Sequence, residues 1–272
     1  MSLYEIMDEI TSKQITKTET GENRIFGLLT GIVTENYDKE MPGRVCVQIP
    51  VRDENANVLK WARVAMPSGG EKWGHYFIPE TGDQVVLAFE EGNIEKPYVI
   101  GCIPKDNSKL LSSSADADNQ YKRIRTKHGS EITFVDNKDN EDGEKDKIMI
   151  QTAKELHRIE LDNDKKRITI SDKDKKNAIV IKTEDGKMEV TSEKKLTIKV
   201  GDSIEITMNG ENGTVNVNCN TLQVKANKAI KMEANGNGSL KASAGLTLEG
   251  GSQAKLTSSG QTAVEGSLVK VG

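Results

Sequence analysis

The sequence predicts an all-β chain built in two parts: an N-terminal OB-fold barrel, then a C-terminal intertwined trimeric β-helix forming a β-prism needle. Three observations predict it. Apolar residues recur every eight positions through the last quarter of the chain. All six prolines lie at or before Pro104, and all eleven aromatics at or before Phe134, so the two ends are built from different materials. Between residues 25 and 104, short runs of alternating polar and apolar residues are separated by Gly, Pro and Asn turn signals.

The chain has 272 residues and a formal net charge of −4. That balance argues against nonspecific nucleic-acid binding as its main task. No apolar run reaches the length of a membrane span. The start, MSLYEIMDEITSK, has neither a basic leader nor a long apolar stretch, so no signal peptide is expected. Cys46, Cys102 and Cys219 are too scattered for a disulfide framework. Synthesis in the cytoplasm follows as an expectation.

Residues 1–24 read as a short helix or arm, with Leu3, Ile6, Met7 and Ile10 on one face and Asp8 and Glu9 opposite. Residues 25–104 read as the barrel. Ile25 to Asp38 holds a strand and turn. Gly43 to Pro50 alternates Val45, Val47 and Ile49 against Arg44, Cys46 and Gln48. Lys60 to Pro67 is a third strand, Gln84 to Phe89 a fourth and Tyr98 to Ile103 the last. Five or six strands with one longer crossover suit a small closed Greek-key barrel of OB type. Residues 105–124, rich in Ser and Asp, read as a linker or neck too short for an inserted enzymatic domain. Residues 125–197 read as an irregular β-prism leading into the needle. Its apolar pairs, such as Ile132/Phe134, Ile148/Ile150, Ile159/Leu161 and Ile168/Ile170, alternate with charged turns.

Residues 198–272 are the octad needle. Val200, Met208, Val224, Met232, Leu240, Leu248, Leu256 and Val264 share one register, with Asn216 the single polar member. A companion row two residues earlier holds Ile198, Ile206, Leu222, Ile230, Leu246 and Ala254. At Asn216 the apolar pair slips to Val215 and Val217; the loop Asn209–Gly213 absorbs the extra residue. Single-chain β-helices need roughly 20 or more residues per coil. Eight residues make one strand and one corner, a third of a triangular coil. Three chains close it most simply, so the period argues for a homotrimer with the Val200-to-Val264 row as its dry core.

With those residues in view, the chain resembles the central spike of contractile injection machines: phage baseplate assembly protein V, the spikes of contractile phages and the spike half of VgrG. The resemblance rests on GRVCVQIP and on the run from Trp61 to Ile103. Within that run the Trp61-Ala-Arg63-Val64 strand, the Trp73-Gly74 pair, Phe77-Ile78-Pro79 before Gly82-Asp83, and the Pro97-to-Gly101 ending carry it. Arg125 to Thr152 resembles the onset of the family's β-helix, and the octads resemble its shaft. The resemblance implies a homotrimer with an OB collar around a needle that pierces the target membrane. It implies a particle assembled from cytoplasmic parts and ejected across an envelope. Only about 25 residues precede the barrel, where VgrG carries a large hub module, so a separate baseplate hub protein is expected. Some needles end in a His-x-His iron site, but the last histidine here is His157. A separate PAAR-type tip protein is therefore expected to cap Leu268, Val269, Lys270, Val271 and Gly272.

No catalytic, cofactor-binding or metal-binding residue is assigned. His75, His128 and His157 are far apart in sequence. The acidic stretch from Asp136 to Asp146 fails the EF-hand pattern: alignment on Gly143 puts Lys138 at the first ligand position and Met149 at the last. No GxSxG, Walker or HExxH motif occurs. Two alternatives stand beside the non-enzymatic spike. A β-helical tailspike or polysaccharide depolymerase needs paired carboxylates and stacking aromatics, yet aromatics stop at Phe134. An oligonucleotide-binding OB module on a trimerising stalk could stack bases on Trp61, Trp73, Tyr76 and Phe77, if these are not core, but lacks a basic run.

Overall fold

The computed structural model describes residues 3–271 apart from 19–20, 22, 51–57 and 140–141. The chain divides into two units, residues 1–196 with 209–212, and residues 197–208 with 213–272. Helix α1 spans Leu3–Thr16. Leu3, Ile6, Met7 and Ile10, the expected apolar face, are all exposed.

The barrel follows. Its strands are β1 (Leu29–Glu35), β2 (Arg44–Ile49), β3 (Val58–Val64), β4 (Gln84–Phe89) and β5 (Pro97–Ile103). They close in the order β1-β2-β3-β5-β4. β3 and β5 pair in parallel, and the other neighbours are antiparallel. Alternation in β2 sends Val45, Val47 and Ile49 inward, where they meet Val33, Ala62, Val85, Leu87 and Val99 in a fully buried core. Side chains of this size fill a narrow five-stranded barrel without voids. Cys46, on the opposite face of β2, is also buried. The first strand begins at Leu29, four residues later than the sequence pattern placed it.

The crossover from β3 to β4 is a loop stapled by a bridge between Gly69 and Gly74. Gly74 has φ +149°, and a Cβ there would stand 2.8 Å from the Gly69 Cα and the Ser68 carbonyl oxygen. Only glycine fits both the backbone angle and the close approach. The Trp73 indole lies against Gly70, its Nε1 2.6 Å from where a Cβ would stand.

The stretch read as a linker contains a short helix, α2 (Lys109–Ser114). Seven strands then run as an antiparallel meander: β6 (Tyr121–Arg125), β7 (Glu131–Val135), β8 (Lys147–Gln151), β9 (His157–Asp162), β10 (Arg167–Asp172), β11 (Ala178–Lys182) and β12 (Lys187–Thr191). The charged segments between apolar pairs are its hairpin turns. A three-stranded sheet joins β13 (Lys195–Val200), β14 (Ile204–Asn209) and β15 (Thr214–Asn218). The octad needle was expected from residue 198; its first repeats thus pair with one another inside the chain. Among the described residues no strand follows Asn218. No helix is long and apolar enough to cross a membrane.

Candidate assembly interface

The meander sorts its side chains by parity. Successive pairings align Ile124, Ile132, Ile150, Ile159, Ile170, Ile179 and Val190 in one row across all seven strands. A second row on the same face aligns Phe134, Ile148, Leu161, Ile168, Ile181 and Met188. Antiparallel hairpins hold the two rows in step, because a one-residue slip would send both to the other face.

The opposite face is ionic. Arg125 pairs with Glu131 at 3.3 Å, and the Gln151 amide donates to the same carboxylate at 2.9 Å. Arg158 pairs with Glu160 at 2.8 Å, and Lys182 with Glu189 at 2.7 Å. Asp162 is buried at this face, 3.0 Å from the Lys147 ammonium, and accepts the Lys165 N–H at 3.0 Å. Burial pushes the Asp162 carboxyl up, but these donors outweigh it and hold its pKa below the ordinary carboxylate value. The Lys182 ammonium likewise lowers the pKa of Glu189.

The apolar face has no such partners. Ile150 is 42% exposed and Ile170 46%. Beside the row of isoleucines lies an open trough of 1010 Å³, which also takes in Phe77 from the barrel and Leu196. Isolated exposed apolar residues are normal, but two aligned rows, one over seven strands and one over six, are not. This face is built to be covered. The opposite face carries the cross-strand ion pairs and holds the buried Thr133, Asp162 and Ser171.

The residues expected in the needle core are not brought together within the chain. Met232 is 85% exposed, Leu248 75%, and Val200, Met208, Val224, Leu240, Leu256 and Val264 are exposed as well. At the proposed tip, Leu268, Val269, Lys270 and Val271 are exposed; Gly272 lies outside the described residues. Most of the pairs on the seven-stranded face were legible in the sequence as those of an irregular β-prism; their alignment in rows across seven strands of one chain was not. Trp73, Tyr76 and Phe77 are exposed rather than core, whereas Trp61 is half-buried on β3. His75 sits 3.0 Å from the Ser68 hydroxyl and His157 3.3 Å from that of Thr152. Glu90, at the end of β4, accepts from the Tyr98 hydroxyl at 2.6 Å; this bond lowers the pKa of Glu90 and raises that of Tyr98.

A closed five-stranded barrel with the order β1-β2-β3-β5-β4, set before a β-rich region with an exposed apolar face, defines the class as an OB-barrel protein with a β-rich C-terminal region. Residues 29–103, from the start of β1 to the end of β5, match the type VI secretion system/phage-baseplate injector OB domain. The barrel matches that domain family, and the chain is similar over part of its length to VgrG spike proteins. It is 32% identical over 94 residues to the type VI secretion system spike protein VgrG5 of Pseudomonas aeruginosa, a stretch covering 32% of this chain and 12% of that protein. It is 30% identical over 135 residues to the spike protein VgrG4b of the same organism, covering 41% of this chain and 17% of that one. The chain spans less than a fifth of the length of these curated relatives.

Proposed function

We propose that the chain is the structural, non-enzymatic central spike of a contractile injection machine, acting as a homotrimer. The observation that carries this reading is the apolar double row on β6–β12, which one chain leaves uncovered. Three copies of one sheet, packed about a threefold axis, bury one another's rows and turn the ionic faces outward. Each isoleucine so covered contributes on the order of 1.5–3 kcal/mol, repeated three times by symmetry. The injector OB domain and the similarity to spike proteins support the same reading.

Beyond residue 218, the octads form the shaft of the proposed needle, with Val224 to Val264 turned inward. Strand stacking of about 4.8 Å per octad gives the whole octad region a length of roughly 45 Å. Bending such a shaft would break many ladder hydrogen bonds at once, which suits a part driven through an envelope by sheath contraction. Its partners in this reading are a baseplate hub protein at the barrel end and a PAAR-type tip protein at Leu268–Val271. The exposed apolar face of α1 and the exposed Leu268 and Val271 supply apolar surface for the two contacts.

Light scattering on the purified chain, with negative-stain images of the same fraction, tests the reading. A particle of three times 29.9 kDa, drawn out into a thin rod, is expected. A compact monomer overturns it.

A further inference from the structure

A chain that turns one corner per octad places each octad on the face next to the previous one. Under threefold symmetry, an octad of one chain then lies directly over the preceding octad of its neighbour, about 4.8 Å away. Positions eight apart in sequence become in-register neighbours between chains. Side chains alternate along each strand, so the residue after each inward member points outward. From residue 225 that outward column reads Lys225, Glu233, Lys241, Glu249, then Thr257 and Glu265. Its first four charges alternate strictly. The other outward column, Gln223, Lys231, Ser239, Thr247 and Lys255, shows no such alternation. Lys225, Glu233, Lys241 and Glu249 are all exposed on one chain, and none of the four pairs with a charge among the described residues.

We propose that Lys225, Glu233, Lys241 and Glu249 form an interchain charge ladder that sets the axial register of three copies of this chain. The inference rests on the trimeric spike reading and assigns it a register device. The inward row cannot choose a register alone. Leu240, Leu248 and Leu256 are identical, so sliding one chain by an octad replaces each leucine contact with another. The ladder distinguishes these states. In register, every step places a lysine beside a glutamate. After a slip of one octad, every step places lysine beside lysine or glutamate beside glutamate, and directly opposed like charges destabilise a sheet. The discrimination is cooperative, because three steps are repeated at three chain boundaries. It is also confined to the surface, so it costs nothing in core packing and weakens with salt.

Two variants of the full chain test the ladder, each compared with the wild type at low and high salt by light scattering and by urea unfolding. E233K/E249K makes all four ladder positions lysine. K225E/E233K/K241E/E249K reverses every sign while keeping both the alternation and the net charge. The all-lysine variant is expected to lose roughly tenfold in trimer fraction at low salt and to recover as salt rises. The reversed variant is expected to match the wild type throughout. A trimeric wild type with an unaffected all-lysine variant overturns the ladder alone. So does a reversed variant as impaired as the all-lysine one. A monomeric wild type overturns the spike reading and the ladder with it.

Discussion

At the scale of single residues, the structure is decided by geometry that few residue types satisfy. Gly74 is glycine because its backbone angle is left-handed and its neighbour's backbone stands where a Cβ would go. Asp162 is held by a different requirement. Its carboxylate is buried beside Lys147 and Lys165, and its pKa is lowered by them. A carboxyl whose folded pKa lies below its unfolded value near 3.9 stabilises the fold above that value and loses the contribution as pH falls through the folded pKa. Asp162→Asn is therefore expected to destabilise the chain by about 1–3 kcal/mol at neutral pH. The difference from wild type should narrow below about pH 4. Urea unfolding at a series of pH values measures it; a gap that is constant from neutral to acid pH refutes the assignment.

At the scale of elements, the meander is organised by its turns. Segments such as Asp162–Lys166 and Thr183–Lys187 reverse the chain, so the apolar pairs meet in antiparallel order: Ile159 with Ile170, and Leu161 with Ile168. The spacing of nine to eleven residues was legible in the sequence and was read as an irregular β-prism leading into the needle. The alternative signal was also present, since short charged turns between β-branched pairs are hairpin chemistry. The sequence could not show by itself whether adjacent pairs join within the chain or across chains, because both arrangements need the same alternation. Ile150 lies in the middle strands of the apolar row. Ile150→Asp is expected to leave the barrel folded, since its core lies elsewhere, but to abolish the trimer. Light scattering with near-ultraviolet circular dichroism of the barrel tryptophans checks both halves. Full trimer recovery in the variant would show that this face is not the interface.

At the scale of the whole molecule, the proposal makes stability inseparable from assembly. Among the described residues, only the barrel has a fully buried apolar core within one chain. The octads carry large apolar side chains that a lone chain leaves in water, so in this reading the needle, unlike the barrel, is stable only when assembled. Leu248→Asp would gather three carboxylates on one axis, where they cannot all be ionised without solvation. It is expected to stop assembly of the needle while sparing the barrel. A soluble trimer of this variant that melts like the wild type would refute the inward register of Leu248.

The sequence by itself determined the all-β class and the barrel. Each follows from local alternation and turn chemistry, which are properties of adjacent residues. The core of β2 was legible residue by residue for that reason, as were the apolar pairs of the meander. Tertiary structure decided the closing order of the barrel, the antiparallel joining of β6 to β12 and the gathering of their isoleucines on one uncovered face. It also decided that Trp73, Tyr76 and Phe77 stand outside the core. These depend on which strands meet and which face turns inward, and that is set by long-range packing rather than by any short stretch of chain.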